Sequence, residues 1–304
     1  MRAVVFAYHN MGLIGIRSLK HAGFEIPLVF SHEDDPGENV WFGSVPDLCH
    51  ELAIDCVHPR DPNQYGWIER IKSAKPDIIF SFYYRHMIKP AILNIPRLGA
   101  YNLHGSYLPA YRGRCPVNWV IIKGEQSTGV TLHEMVEKPD AGPIVARKKV
   151  DITQTDTALS LFKKLEQAAD ILLAEILPHM IIGDIPKTPM DLSQGSYYGG
   201  RKPEDGRICW DRPCQEIYNL IRAVTHPYPG AFGFVGEDMV FFWWAVPDAE
   251  IILEPGKIVL HKDTVSIGTG YGCIRPLEIE VNGRILNEEA LLKYFKDHEG
   301  EIVQ

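Results

Sequence analysis

Along the first half of the chain, short apolar runs alternate with stretches whose apolar residues recur at helical spacing. Residues 3–8, 25–31, 54–58, 77–82 and 99–103 read as strands. Residues 13–21, 65–74 and 90–93 read as helices, as does a segment capped by Ser44 and running toward Leu52. Gly23 suits a helix C-terminus, and Pro76 ends another helix. Strands alternating with helices imply a mostly parallel, Rossmann-like α/β sheet covered on both faces. Residues 129–135 and 143–150 then read as longer strands. Leu159, Phe162, Leu165, Ala169, Leu172 and Ile176 share one helical face, predicting a long amphipathic helix over 157–182.

The pattern changes after residue 189, where Gly, Ser, Tyr and Pro accumulate as in a linker. The expected division is a domain at 1–189, a linker at 190–202 and a second domain at 203–304. In the last part a helix at 216–224 precedes short apolar runs at 232–235, 239–245, 257–260, 264–267 and 277–281. Short, closely spaced strands predict a small β-rich, barrel-like (OB-like) domain. Gly268-Thr269-Gly270-Tyr271-Gly272 opens no helix and so reads as a turn, not a phosphate loop.

Composition narrows the class. With 304 residues, 45% hydrophobic and 23% charged, the chain has globular proportions. No run approaches the ~18–20 apolar residues of a membrane span. The opening residues read as a first strand, because His9-Asn10 interrupts them where a signal peptide would stay apolar. The net charge of −8 argues against a nucleic-acid partner. Six scattered cysteines form no C-x2-C pair, so no metal is expected, and reduced thiols point to a cytoplasmic protein.

Chemistry concentrates in Tyr101-Asn102-Leu103-His104-Gly105-Ser106-Tyr107-Leu108-Pro109-Ala110-Tyr111-Arg112-Gly113-Arg114. Asn102 and His104 lie two apart at the end of a strand, so their side chains share a face at the edge where open parallel sheets bind ligands. An amide that can hold an oxyanion beside an imidazole that can move a proton suits acyl transfer. Taken alone, a single His is by default a buried group satisfying backbone in a turn. Asp140, before Ala141-Gly142, is by itself more typical of a turn. The first strand–helix turn, Tyr8-His9-Asn10-Met11-Gly12-Leu13-Ile14-Gly15, lacks the dinucleotide fingerprint and reads equally well as a phosphate site or a tightly packed turn.

Asn102-Leu103-His104-Gly105-Ser106, Leu108-Pro109, Tyr111-Arg112-Gly113 and Asp140-Ala141-Gly142 resemble the signature of 10-formyltetrahydrofolate-dependent formyltransferases. Gly199-Gly200-Arg201-Lys202-Pro203-Glu204-Asp205-Gly206 and His226-Pro227-Tyr228-Pro229-Gly230-Ala231-Phe232 resemble C-terminal motifs of the branches acting on methionyl-tRNA and on nucleotide sugars. Val5-Phe6-Ala7-Tyr8-His9, Ser31-His32, Asp35-Pro36-Gly37-Glu38, Phe80-Ser81-Phe82-Tyr83-Tyr84-Arg85-His86 and Gly129-Val130-Thr131-Leu132-His133 resemble the branch that formylates UDP-4-amino-4-deoxy-L-arabinose in lipid A modification and polymyxin resistance. Tyr107 departs from that pattern, which usually has Leu there.

The resemblance implies His104 as the proton-transfer group, Asn102 as the transition-state stabiliser and Asp140 as the carboxylate acting on His104. It implies folate contacts from His86, Met87, Ile88, Arg114, Val136, Glu137, Lys138, Pro139 and Asp140. The implied reaction moves a formyl group from 10-formyltetrahydrofolate to a nucleotide-linked amino sugar, without a metal. Methionyl-tRNA, another nucleotide-linked 4-amino sugar, and a non-catalytic folate- or nucleotide-binding role stay open at this point, as does a homo-oligomer.

Overall fold

The computed structural model of the chain describes residues 1–304. It divides into two compact units. One comprises Met1–Pro116, Ser127–Asp151 and Phe162–Gly199, the other Val117–Gln126, Ile152–Leu161 and Gly200–Gln304.

In the first unit the alternation read from the apolar spacing is realised as β1 (Arg2–Ala7), α1 (His9–His21), β2 (Glu25–Phe30), α2 (Val45–Glu51), β3 (Cys56–Val57), α3 (Tyr65–Ser73), β4 (Ile78–Phe82), α4 (Pro90–Leu93) and β5 (Ala100–His104). Ser44 caps α2 as expected, its hydroxyl accepting from the Asp47 amide at 3.2 Å. The chain continues through β6 (Arg112–Gly113), α5 (Pro116–Ile122), β7 (Ser127–Glu134), β8 (Ile144–Asp151), α6 (Ala158–Ile181) and β9 (Tyr197–Tyr198). Sheet order is β3-β2-β1-β4-β5-β7-β8, with the first five strands parallel and β7 and β8 antiparallel. Strand order reverses between β1 and β4. The loops leaving the carboxyl ends of β1, β4 and β5 are therefore where such a sheet opens a crevice.

The core explains why β1 is apolar from Ala3 onward and β4 is apolar except for the buried Ser81. Val4 and Phe6 pack with Leu28, Phe30, Ile71, Ile79, Ile88, Ile92 and Ala100, all buried. The first strand–helix turn is closely packed. Gly15 of α1 faces the Phe82 ring, and a Cβ there would overlap that ring. His9 is enclosed by Trp41, Phe42, Tyr83 and Phe162, and burial pushes its imidazole down to about 3.

The second unit contains α7 (Cys214–Val224), β10 (Ala231–Val235), β11 (Asp238–Asp248), β12 (Ile258–His261), β13 (Thr264–Gly268), β14 (Cys273–Val281), β15 (Arg284–Asn287) and α8 (Glu288–Lys296). Its sheet runs β10-β11-β14-β13-β12, with β15 also on β14. No ladder joins β10 to β12 directly, where a barrel-like closure was expected. The chain end covers both edges instead. Gln304 exchanges two 2.8 Å backbone bonds with Phe234, Val303 donates to Gly256 at 2.8 Å, and Ile258 donates to Glu301 at 3.0 Å. Residues 268–272 form the turn between β13 and β14, as read from the sequence. All six cysteines are free, and no helix is long and apolar enough to cross a membrane.

Gly15→Ala tests the α1–sheet contact. In an open helix interior Ala would stabilise by about 1 kcal/mol over Gly. Here overpacking against a buried ring costs ~1–3 kcal/mol, so a net loss is expected. Denaturant unfolding measures it; a stabilised variant would show that α1 has room to move off Phe82.

Candidate active site

The site forms where β5 ends. Asn102 and His104 alternate with Leu103 and so project from one face of the strand. The antiparallel neighbour β7 sets Asn102 opposite His133 and His104 opposite Thr131. Asp140 comes from the loop between β7 and β8, whose two ends are pinned to the sheet. Met135 donates to the Ala100 carbonyl at 2.7 Å and Glu134 to the Pro143 carbonyl at 2.9 Å. Gly142 allows this close return, because a Cβ there would run into the Glu134 carbonyl.

These segments bring Asn102, His104 and Asp140 together. His104 is buried, its Nδ1 is 3.6 Å from Asp140 Oδ1, and its Nε2 is 2.9 Å from the Tyr111 carbonyl. A carbonyl only accepts, so Nε2 carries a proton and Nδ1 is the nitrogen free to exchange one. His133 Nε2 lies 3.4 Å from the same Asp140 oxygen and 3.3 Å from Asn102 Nδ2. The other carboxylate oxygen accepts from the Gly113 amide at 2.9 Å. Burial alone would raise the Asp140 pKa. The charge of His104, the hydrogen bond and charge that His133 supplies once its ring is protonated in acid, and the Gly113 amide outweigh it and hold the carboxyl well below the usual carboxylate range.

Residues expected to be linker complete the support. The Tyr111 amide donates to Ser196 Oγ at 2.9 Å, Arg112 to the Ser196 carbonyl at 3.0 Å and Arg114 to the Tyr198 carbonyl at 3.0 Å. The Tyr111 and Tyr198 rings stack with centroids 5.1 Å apart. Gly113 has φ +98°, and a Cβ there would meet the Tyr198 carbonyl. Thr131 steadies the turn after β5, donating to the Ser106 carbonyl at 2.8 Å and accepting from the Leu108 amide at 3.1 Å. Tyr107, the departure from the motif, lies under the Arg147 guanidinium, 4.4 Å from its ring centroid.

The expected folate contacts fall on three stretches. His86, Met87 and Ile88 follow β4, the neighbour of β5 in the sheet. His86 and Met87 are exposed, whereas the Ile88 side chain belongs to the core. That loop is held by Asn63, whose amide donates to the Met87 carbonyl at 2.9 Å and accepts from the Lys89 amide at 2.8 Å. Arg114 is exposed with its guanidinium unpaired, next to the glycine that holds Asp140. Val136, Glu137 and Lys138 are exposed and Pro139 half-buried on the loop that delivers Asp140. No contact joins residues 86–88 to the Asn102–His104–Asp140 cluster; adjacent strands bring both to the same sheet edge. Asn63, His133 and the Tyr111 carbonyl went unread in the sequence. His133 closes the motif stretch Gly129-Val130-Thr131-Leu132-His133 and lies near the end of a strand that could pair with β5, but no role was read for it.

The formyl transferase family model matches residues 2–177, and the model for the formyl transferase C-terminal domain matches residues 201–296. The chain belongs to the formyl transferase family. Solved structures share its fold at low identity. An N-formyltransferase from Helicobacter canadensis, in complex with folinic acid and dTDP-3-aminofucose, is 18% identical with a TM-score of 0.70, over 90% of this chain and 98% of that one. HypX from Aquifex aeolicus in complex with tetrahydrofolic acid is 21% identical with a TM-score of 0.63, over 98% of this chain but 48% of its own. Methionyl-tRNA formyltransferase from Clostridium thermocellum is 18% identical with a TM-score of 0.57, over 89% and 100%. At such identities the likeness is one of fold.

The carboxylate of this formyl transferase makes a pH prediction. Its folded-state pKa lies below the unfolded one, so Asp140 adds stability above the unfolded carboxylate pKa that is lost as pH falls toward the folded value. Melting temperatures of wild type and Asp140→Asn between pH 7 and 3 should converge on acidification. A constant gap would show that the carboxylate charge adds nothing to the fold.

Proposed function

We propose that this formyl transferase moves the formyl group of 10-formyltetrahydrofolate onto the amine of a nucleotide-linked amino sugar, with UDP-4-amino-4-deoxy-L-arabinose as acceptor. The observation that carries the chemistry is the Asn102–His104–Asp140 cluster at the carboxyl end of β5. Asn102 would present an amide N–H to the oxyanion that develops as the neutral sugar amine attacks the formyl carbon. His104, its Nε2–H fixed on Tyr111, would relay through Nδ1 the proton that the amine loses and the folate nitrogen gains as its bond to carbon breaks. Asp140 would stabilise the imidazolium during that relay. Arg114, the loop leading to Asp140 and the backbone of residues 86–88 would hold the folate, with the free guanidinium offering a charge-assisted bond.

The sugar reading draws support from the motif resemblance and from a fold-mate whose structure holds an amino sugar nucleotide. The acidic balance, 39 acidic against 31 basic residues, is poorly suited to a tRNA partner, which demands phosphate neutralisation. Another nucleotide-linked 4-amino sugar is the nearest alternative acceptor. With the arabinose sugar, the reaction would serve lipid A modification.

Folate release with a panel of amino sugar nucleotides and with methionyl-tRNA tests the acceptor. Turnover on the arabinose nucleotide is expected; turnover on methionyl-tRNA alone would overturn the reading. In the same assay Asn102→Ala and His104→Ala should each lower kcat on the order of 100-fold or more, with little change in folate binding. Lost folate affinity with unchanged kcat would make both residues structural.

A further inference from the structure

His133 is almost completely buried on β7 and takes no part in the motif chemistry, yet it touches both Asn102 and Asp140. Its Nδ1 lies 2.9 Å from the Glu134 carbonyl. Only a donor can meet a carbonyl, so the ring proton of neutral His133 sits on Nδ1 and its Nε2 is a bare acceptor. An acceptor 3.3 Å from the Asn102 amide requires that amide to present N–H. The amide nitrogen has a second hydrogen, and no group of the protein accepts it.

We propose that His133 is a positioning residue that acts through Asn102: its Nε2 lone pair locks the amide with nitrogen, not oxygen, toward the reacting centre, leaving one N–H for the oxyanion. This role rests on the formyl-transfer reading given above. The surrounding charges favour it. His133 faces Asp140, His104 and Asn102, and its own backbone neighbour Glu134 is engaged by Lys187 at 2.8 Å. One carboxylate compensates one imidazolium. While His104 carries the proton of the reaction, a second charged ring beside it would be buried without a counter-charge. Protonated on Nε2, His133 would turn to Asp140 and force Asn102 to show its oxygen to the site, where an acceptor repels the oxyanion.

Two measurements test this. Nitrogen NMR of 15N-histidine-labelled enzyme needs no turnover. In its neutral form His133 should show a protonated Nδ1 and a bare Nε2, and the Nε2 signal should move in Asn102→Ala. A protonated Nε2 in the neutral ring would overturn the proposal, whatever the acceptor proves to be. Kinetics then separate positioning from packing. His133→Ala should lower kcat by no more than Asn102→Ala does, on the order of 100-fold, with the KM for folate little changed. In the Asn102→Ala background the same change should add at most about a twofold loss. His133→Gln, whose carbonyl oxygen can accept from Asn102, should recover most of the rate and also serves if the Ala variant folds poorly. A full additional loss in the double mutant, or no recovery with Gln, would show that His133 acts by another route. Absence of turnover in the wild type on every amino sugar would count against the acceptor, and the NMR result would decide the role of His133.

Discussion

Asp140 keeps a negative charge in a side chain that is only 13% exposed, held there by His104 of β5 and the Gly113 amide of β6, with His133 of β7 joining them only when its ring is protonated. Each would be misplaced without the others. A carboxylate buried beside apolar strands would take up a proton, and a neutral carboxyl could not favour an imidazolium on His104. The depressed pKa of Asp140 is thus a consequence of the site's geometry and a condition for the chemistry proposed for it.

The backbone makes that geometry possible at two close approaches. Gly142 lets the loop return across the Glu134 carbonyl, and Gly113 lies against the Tyr198 carbonyl in a left-handed conformation. Tyr111 also has positive φ, which turns its carbonyl toward His104 while Ser196 holds its amide. Such strain persists because the neighbouring hydrogen bonds over-determine it. Asn102 and His104 therefore stand on a strand, and the loops that bring Asp140 and the Tyr111 carbonyl to them are fastened by backbone bonds.

Much of the first unit was legible in the sequence because β1, β4 and β5 carry apolar runs and the intervening helices show a clear period. The pairing of β5 with an antiparallel β7 was not legible, since two strands of known position do not reveal their register. His133 was missed for that reason. Asn102 and His104 were read as candidates from strand alternation and Asp140 from its motif, and the contact of Asp140 with His104 needed the folded loop. Residues 197–198 read as linker because Tyr, Gly and Ser suggest a turn, yet they pair with β6 in a two-residue ladder set by distant contacts. β15 and α8 were not foreseen: Ile285 is exposed and α8 buries only Leu291 and Phe295, leaving too few apolar positions to mark either element. Strand spacing did not reveal that β10 and β12 stay unpaired with each other and that residues 301–304 bond to both of them instead.

The proposed chemistry requires Asp140 and His104 to act as one unit. Single-turnover formyl transfer by Asp140→Asn, His104→Ala and the double variant measures that coupling directly. If the carboxylate works through the imidazole, the double variant should be no slower than His104→Ala alone, because the partner it serves is already gone. Losses that multiply in the double variant would mean that the two residues contribute independently, and the shared carboxylate would not be the centre of the site.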